Sequence, residues 1–145
     1  MSIGEISRQS GLSEPTVRYY EDVGLVGPIL RDDRSGHRRY REHDLDDLQV
    51  LACLRAMGMG IEEMRTYQAN RRRGHAAAGE QRDILRRHAE QVEREIAVRR
   101  VHLDYLAAKA ELWDARERGD VDGEAAAWEA ISEIVPRLEP TLRPA

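Results

Sequence analysis

Three groups of side chains in this sequence carry types and spacings that could do chemistry. The first is basic and aromatic: Arg18, Tyr19 and Tyr20 stand together in TVRYYE behind Thr16, and Arg38 and Arg39 follow His37 about twenty positions on. Arginine donates to guanine edges or phosphates, and a tyrosine hydroxyl reaches phosphate oxygens without adding charge. The same residues also admit a plainer reading, with one tyrosine in a core, Arg18 a solvated charge and the second pair on a hairpin that touches nothing. The second group is Cys53, the only cysteine. A lone thiol is either a small apolar residue in a helix or a nucleophile, and it cannot form a disulfide within the chain. The third is the pair Trp113 and Trp128, which could line an apolar effector pocket or pack the last helix against the one before it.

Other chemistries find no support. His75, His88 and His102 are scattered at helical spacings, and no CxxC or Cys/His cluster accompanies them, so neither a metal site nor any cofactor is expected. No Ser/His/Asp spacing, carboxylate pair or phosphate-cradling glycine loop suggests an enzyme. No apolar run approaches the roughly 20 residues that cross a bilayer, and MSIGEISRQ lacks the features of an export signal, so the expected location is cytoplasmic, away from any membrane.

Charge is unevenly placed. The chain carries a net charge of −4. Residues 1–74 hold twelve basic and twelve acidic residues, whereas 75–145 hold eleven and fifteen, so the excess acid lies in the second half. Within 31–41 five arginines (Arg31, Arg34, Arg38, Arg39, Arg41) meet only Asp32 and Asp33. That is a concentrated patch suited to phosphate.

The elements that must position these groups are mostly helical. Ser2 and Glu5 have the spacing of a capping box, Ile3 and Ile6 give the first helix a core side, and Gly11 suits a left-handed end. Ser13 caps a second helix with Pro15 in its first turn, and Gly24 breaks it. Two short helices joined by a tight turn make a helix-turn-helix. From Leu25 to Tyr40 the helical period vanishes, and Arg34-Ser35-Gly36 reads as the turn of a short hairpin, a wing. A third helix from about residue 42 is apolar on nearly all sides around VLACL, which predicts burial. A fourth runs from Ile61 to about Arg73.

From about Gly79 to Arg118 the residues Leu85, His88, Val92, Ile96, Arg99, Leu103, Leu106, Ala110 and Trp113 recur at steps of three and four, forming one narrow stripe flanked by Arg and Glu. A helix of about 38 residues is roughly 57 Å long and cannot bury such a seam against so small a domain, so a second copy is the expected partner. A last amphipathic helix over 122–135 presents Trp128, Ile131 and Val135, is stopped by Pro136, and leaves an extended tail.

The stretch IGEISRQSGLSEPTVRYYEDVGLVGPILRDDRSGHRRYREHDLDDLQVLACLRAMGMGIEEM resembles the DNA-binding domain of the MerR family over nearly its whole length. The motifs that carry the resemblance are the IGEIS opening, the GLSEPTVRYYE helix, the wing ending in GHRRY, the DL start of the third helix, and LRAMGMGIEEM. The resemblance implies a mostly α protein. Its parts would be a winged helix-turn-helix DNA-binding domain at 1–74, a long dimerising coiled-coil helix at 75–118 and a short C-terminal segment at 119–145. It implies a homodimer that binds double-stranded promoter DNA at a palindrome and distorts it to control RNA polymerase.

Matched position by position, Arg18 and Tyr19 take the principal recognition-helix places, Thr16 and Tyr20 supporting ones, and Arg38 that of the wing arginine. His37 stands where the family usually has an aromatic residue, and Tyr40 matches a packing position. The run CLRAMGMGIE resembles the aldehyde- and electrophile-sensing branch, in which the cysteine at the place of Cys53 is reactive. Against that, Cys53 lies toward a helix C-terminus, where the dipole disfavours a thiolate. The C-terminal segment is too short for a separate ligand-binding domain, so a site for a small-molecule or electrophile effector is expected to be small or built at the dimer interface. An effector-independent architectural or excision factor is the alternative, opposed by the long coil.

Overall fold

The computed structural model describes residues 1–142 and divides into two compact units, one from Met1 to His88 and the other from Ala89 onward. In the first unit, α1 (Ile3–Ser10) begins with the capping box: Ser2 Oγ accepts the Glu5 N–H and Glu5 Oε2 accepts the Ser2 N–H. It ends at Gly11 with φ +78°, a conformation in which glycine avoids the steric cost of a Cβ. Next, α2 (Glu14–Asp22) starts at Ser13, whose hydroxyl accepts the Thr16 N–H at 3.2 Å. A two-stranded antiparallel hairpin follows, β1 (Leu30–Arg31) with β2 (Arg38–Arg39), placing Leu30 opposite Arg39 and Arg31 opposite Arg38.

Beyond the hairpin come α3 (Glu42–Ala56), α4 (Ile61–Arg73), a 3₁₀ turn at Gly74–Ala77 and the start of α5 (Ala78–Arg118). The helices of this unit share one core, in which Ile6, Val17, Tyr20, Leu25, Tyr40, Leu48, Leu51 and Met64 are almost wholly excluded from water. Ile84 on the first turns of α5 packs into the same core, and His88 Nε2 meets the Met57 carbonyl at 2.6 Å. The core thus fixes α2 and the hairpin from behind.

Within α3 the expectation of all-round burial is corrected. Leu48, Leu51 and Leu54 are buried and Val50 and Ala52 partly so, but Cys53 is exposed. Two residues along a helix is a rotation of roughly 200°, which turns Cys53 away from Leu51.

The second unit holds most of α5 and α6 (Val121–Leu138), joined through Gly119. Ala108, Leu112 and Ala115 of α5 pack with Ala127 and Ile131 of α6, supported by Tyr105, Ala130, Ile134 and Val135. Pro136 does not stop α6 as the sequence suggested. Lacking an N–H, it deprives one carbonyl of a donor, while the Glu139 N–H still bonds to Val135, and a 3₁₀ turn at Glu139–Thr141 continues the coil. The extended tail expected there is replaced by this turn as far as Thr141, and residues 143–145 of that expectation lie outside the described residues. Among the described residues no helix is long and apolar enough to cross a membrane.

Candidate nucleic-acid interface

Short, well-capped α2 presents alternate faces to core and water. Val17 and Tyr20 are buried, while Arg18 and Tyr19 project outward, Tyr19 being 49% exposed. Tyr20 is only 2% exposed. Of the two tyrosines in TVRYYE it is thus Tyr20 that takes the core place the plainer reading allowed, and burial pushes its phenol pKa up. Thr16, half-buried, accepts a hydrogen bond from Ser13 Oγ at 2.8 Å and a longer one from Arg55 Nη1 at 3.4 Å.

The wing is organised by Asp32. Its carboxylate accepts the backbone N–H groups of Arg34 and Ser35, at 2.9 and 3.0 Å, and these bonds hold its pKa below the ordinary carboxylate value. The Asp32 N–H donates to the His37 carbonyl and the Gly36 N–H to the Asp32 carbonyl, both at 2.8 Å, so the loop closes on itself. Gly36, with φ +72°, supplies the left-handed residue the turn needs. Arg38 is not a free surface charge: Nε donates to Glu21 Oε2 at 2.6 Å, tying the wing to the end of α2. Arg39 is exposed and only loosely paired with Asp32, at 3.5 Å.

Between α2 and the wing lies a groove of about 340 Å³, lined by Arg18, Arg31, His37 and Arg38 together with Ser2, Ile3 and Gly36. Tyr40, buried beneath the wing, leaves its hydroxyl without a partner among the described residues. The expected residues Arg18, His37 and Arg38 are thus brought together, while Thr16 and Tyr19 line a separate groove of about 250 Å³ with Arg55. Arg39 lies on a third side, with His37 and Asp32. Sequence reasoning missed Glu21 and Asp32 as the residues that hold the arginines and shape the loop. The Asp32-to-Ser35 spacing was a local signal for the second. Nothing local could have revealed Arg38–Glu21, a pairing across 17 positions.

Cys53 lines an open groove of about 510 Å³ with Val50, Leu54, Tyr67 and Arg71. Arg71 is already engaged by Asp47 and Gln68, and Arg55 reaches toward Thr16. Neither tryptophan packs in a core: Trp113 is 63% and Trp128 45% exposed. Trp113 follows the buried Leu112 on α5 but faces water, and Trp128 follows the buried Ala127 on α6, so the core-packing expectation gives way to a surface arrangement. There the Arg116 guanidinium lies over both indoles, at 4.7 and 5.8 Å, and Lys109 lies over Trp128 and Tyr105.

Two family descriptions match this chain, MerR HTH family regulatory protein over residues 1–71 and MerR, DNA binding over 45–109. A solved transcriptional regulator from Listeria monocytogenes, assigned to the MerR family, is 30% identical and superposes with a TM-score of 0.68 over 94% of this chain and 98% of that one. The chain belongs to the MerR family. HiNmlR, a MerR family regulator lacking the sensor domain and solved bound to promoter DNA, is 26% identical, with a TM-score of 0.70 over 86% of this chain and 94% of that one. The HTH-type transcriptional regulator AdhR of Bacillus subtilis strain 168 is 36% identical over 85 residues, 59% of this chain and 60% of the relative. The matched stretch spans 60 to 65% of the length of the first such curated relatives. Family membership gives the groove between α2 and the wing its context.

Proposed function

We propose that this MerR family member is a cytoplasmic, non-enzymatic transcriptional regulator that binds a palindromic promoter element as a homodimer and distorts it to control RNA polymerase. The observation that carries the reading is the groove in which Arg18 of α2 faces Arg31, His37 and Arg38 of the wing. Its arginines match phosphate and guanine chemistry, and its walls are a helix and a hairpin held at fixed spacing by Arg38–Glu21. HiNmlR, of similar fold, was solved on promoter DNA, which supports the same use here. Domain roles follow the expected division: residues 1–74 bind DNA, 75–118 dimerise and 119–145 serve as a short effector or packing segment.

The effector we infer is a small electrophile that adds to Cys53. Exposure of the thiol on an open, partly apolar groove supports access. In such an addition the sulfur bonds to the β-carbon of an α,β-unsaturated carbonyl and a proton ends on the α-carbon, so no separate oxidant is needed. The heavy metals in the names of some relatives are said of those proteins, and the single cysteine of this chain, Cys53, directs the proposal to an electrophile instead.

Footprinting on duplex DNA selected from a random pool tests the DNA reading. A single protected palindrome is expected, and Arg18→Ala should weaken it by about 1–3 kcal/mol. Scattered or tandem protection, or equal affinity of the variant, would overturn the reading or the role of Arg18 respectively.

A further inference from the structure

We infer that the face of α5 and α6 built from Tyr105, Lys109, Arg116 and Trp128 binds a small aromatic carboxylate. This face belongs to the second unit and takes no part in the DNA-binding groove or the groove beside Cys53. The unit holds three aromatic residues, Tyr105, Trp113 and Trp128, and all of them gather around two cations. The Lys109 ammonium lies over the Tyr105 ring, 5.7 Å from its centroid, and over the Trp128 indole at 5.3 Å. The Arg116 guanidinium lies over Trp128 at 5.8 Å and is backed by Trp113 at 4.7 Å. One indole of α6 therefore meets both cations of α5.

The two cations are not equally matched. Arg116 Nε donates to Glu124 Oε1 at 2.9 Å, so its charge already has a carboxylate. Lys109 makes no ion pair or hydrogen bond among the described residues and is met only by the two ring faces. It is also the only lysine of the chain. An ammonium is a compact charge with three rotatable donors, so it can turn one of them to an incoming oxygen while its stem stays beside the rings. Trp128 remains exposed although small and aliphatic residues already fill the α5–α6 contact next to it, so the indole is not needed to close that contact. Exposed ring faces beside an unmatched cation suit a ligand that is both flat and anionic. An aromatic carboxylate supplies a ring to lie against the indole and an oxygen to accept from Lys109. An aliphatic carboxylate would forgo the stacking and an aromatic amide the charge. With Lys109 and Tyr105 on α5 and Trp128 on α6, such a ligand bridges the two helices of the unit.

The test uses the full chain with benzoate as the probe. Trp113 and Trp128 are the only tryptophans, so indole emission, excited beyond the absorption of tyrosine, reports this face directly. Benzoate is expected to change the emission saturably. Lys109→Gln should weaken benzoate binding about tenfold, the worth of a hydrogen bond between charged groups. Benzamide on the wild-type protein should be weaker by a similar factor, and this comparison does not depend on how the variant folds. Cyclohexanecarboxylate, which keeps the charge without the flat ring, should also bind more weakly than benzoate. Emission that changes only linearly with benzoate overturns the site, as does equal binding of benzoate and benzamide. Equal binding of benzoate and cyclohexanecarboxylate overturns the aromatic specificity. Benzoate is no electrophile, so Cys53→Ser should bind it as wild type does, and the outcome leaves the Cys53 reading untouched.

Discussion

Within α2 two adjacent tyrosines take unlike duties: Tyr19 turns its ring to water while Tyr20 sits in the core, one helical step of roughly 100° apart. TVRYYE names the chemistry available but not which ring faces which way, because the choice depends on what packs behind the helix. The same ambiguity attended Cys53, whose helix is apolar in composition. Leu51 and Leu54 take the core side, and the thiol is left on the groove formed with Tyr67 and Arg71. Incubation with a small enal should therefore add one enal mass to the wild-type protein, and Cys53→Ser should gain none and lose the transcriptional response. A mass spectrum without adduct, under conditions where free cysteine reacts, would refute the proposed sensing role.

Helices and hairpin owe their ends to signals readable in the sequence, namely the Ser2 and Ser13 caps and the glycines at 11, 74 and 119. How they are tied to one another was not readable. Asp44, fully buried near the start of α3, accepts the Arg41 N–H at 2.8 Å and Arg41 Nε at 3.2 Å, while Arg41 Nη2 donates to the Pro28 carbonyl at 2.9 Å. This chain of bonds pins the entry to the wing onto α3. Asp44→Ala leaves the half-buried Arg41 N–H without its carboxylate partner and should cost about 1–3 kcal/mol. Urea denaturation monitored by circular dichroism would show this as a lower midpoint, and an unchanged midpoint would exclude the tie. Asp44 drew no notice in the sequence because a lone aspartate before an apolar run looks like any cap-adjacent acid.

For the molecule as a whole, the decisive feature is that α5 has two apolar faces. Ala108, Leu112 and Ala115 are covered by α6, whereas Leu103, Leu106 and Trp113 stand exposed, Leu103 to 65%. Leucines left in water on one stripe of a long helix are the surface that the proposed second copy would bury. Leu103→Glu with Leu106→Glu should shift the protein from dimer to monomer in light scattering and weaken operator binding by at least tenfold. A double variant that stays dimeric would place the interface elsewhere. By itself the sequence determined the helix-turn-helix, the wing, the bounds of the long helix and its exposed stripe, because caps, glycines and apolar period act between residues close along the chain. Only the tertiary structure decided that Tyr20 is core, that Cys53 is exposed, that Arg38 is held by Glu21 and that the tryptophans lie on the surface. Each of these depends on a neighbour distant in sequence or on which face the core claims, and no local pattern records that.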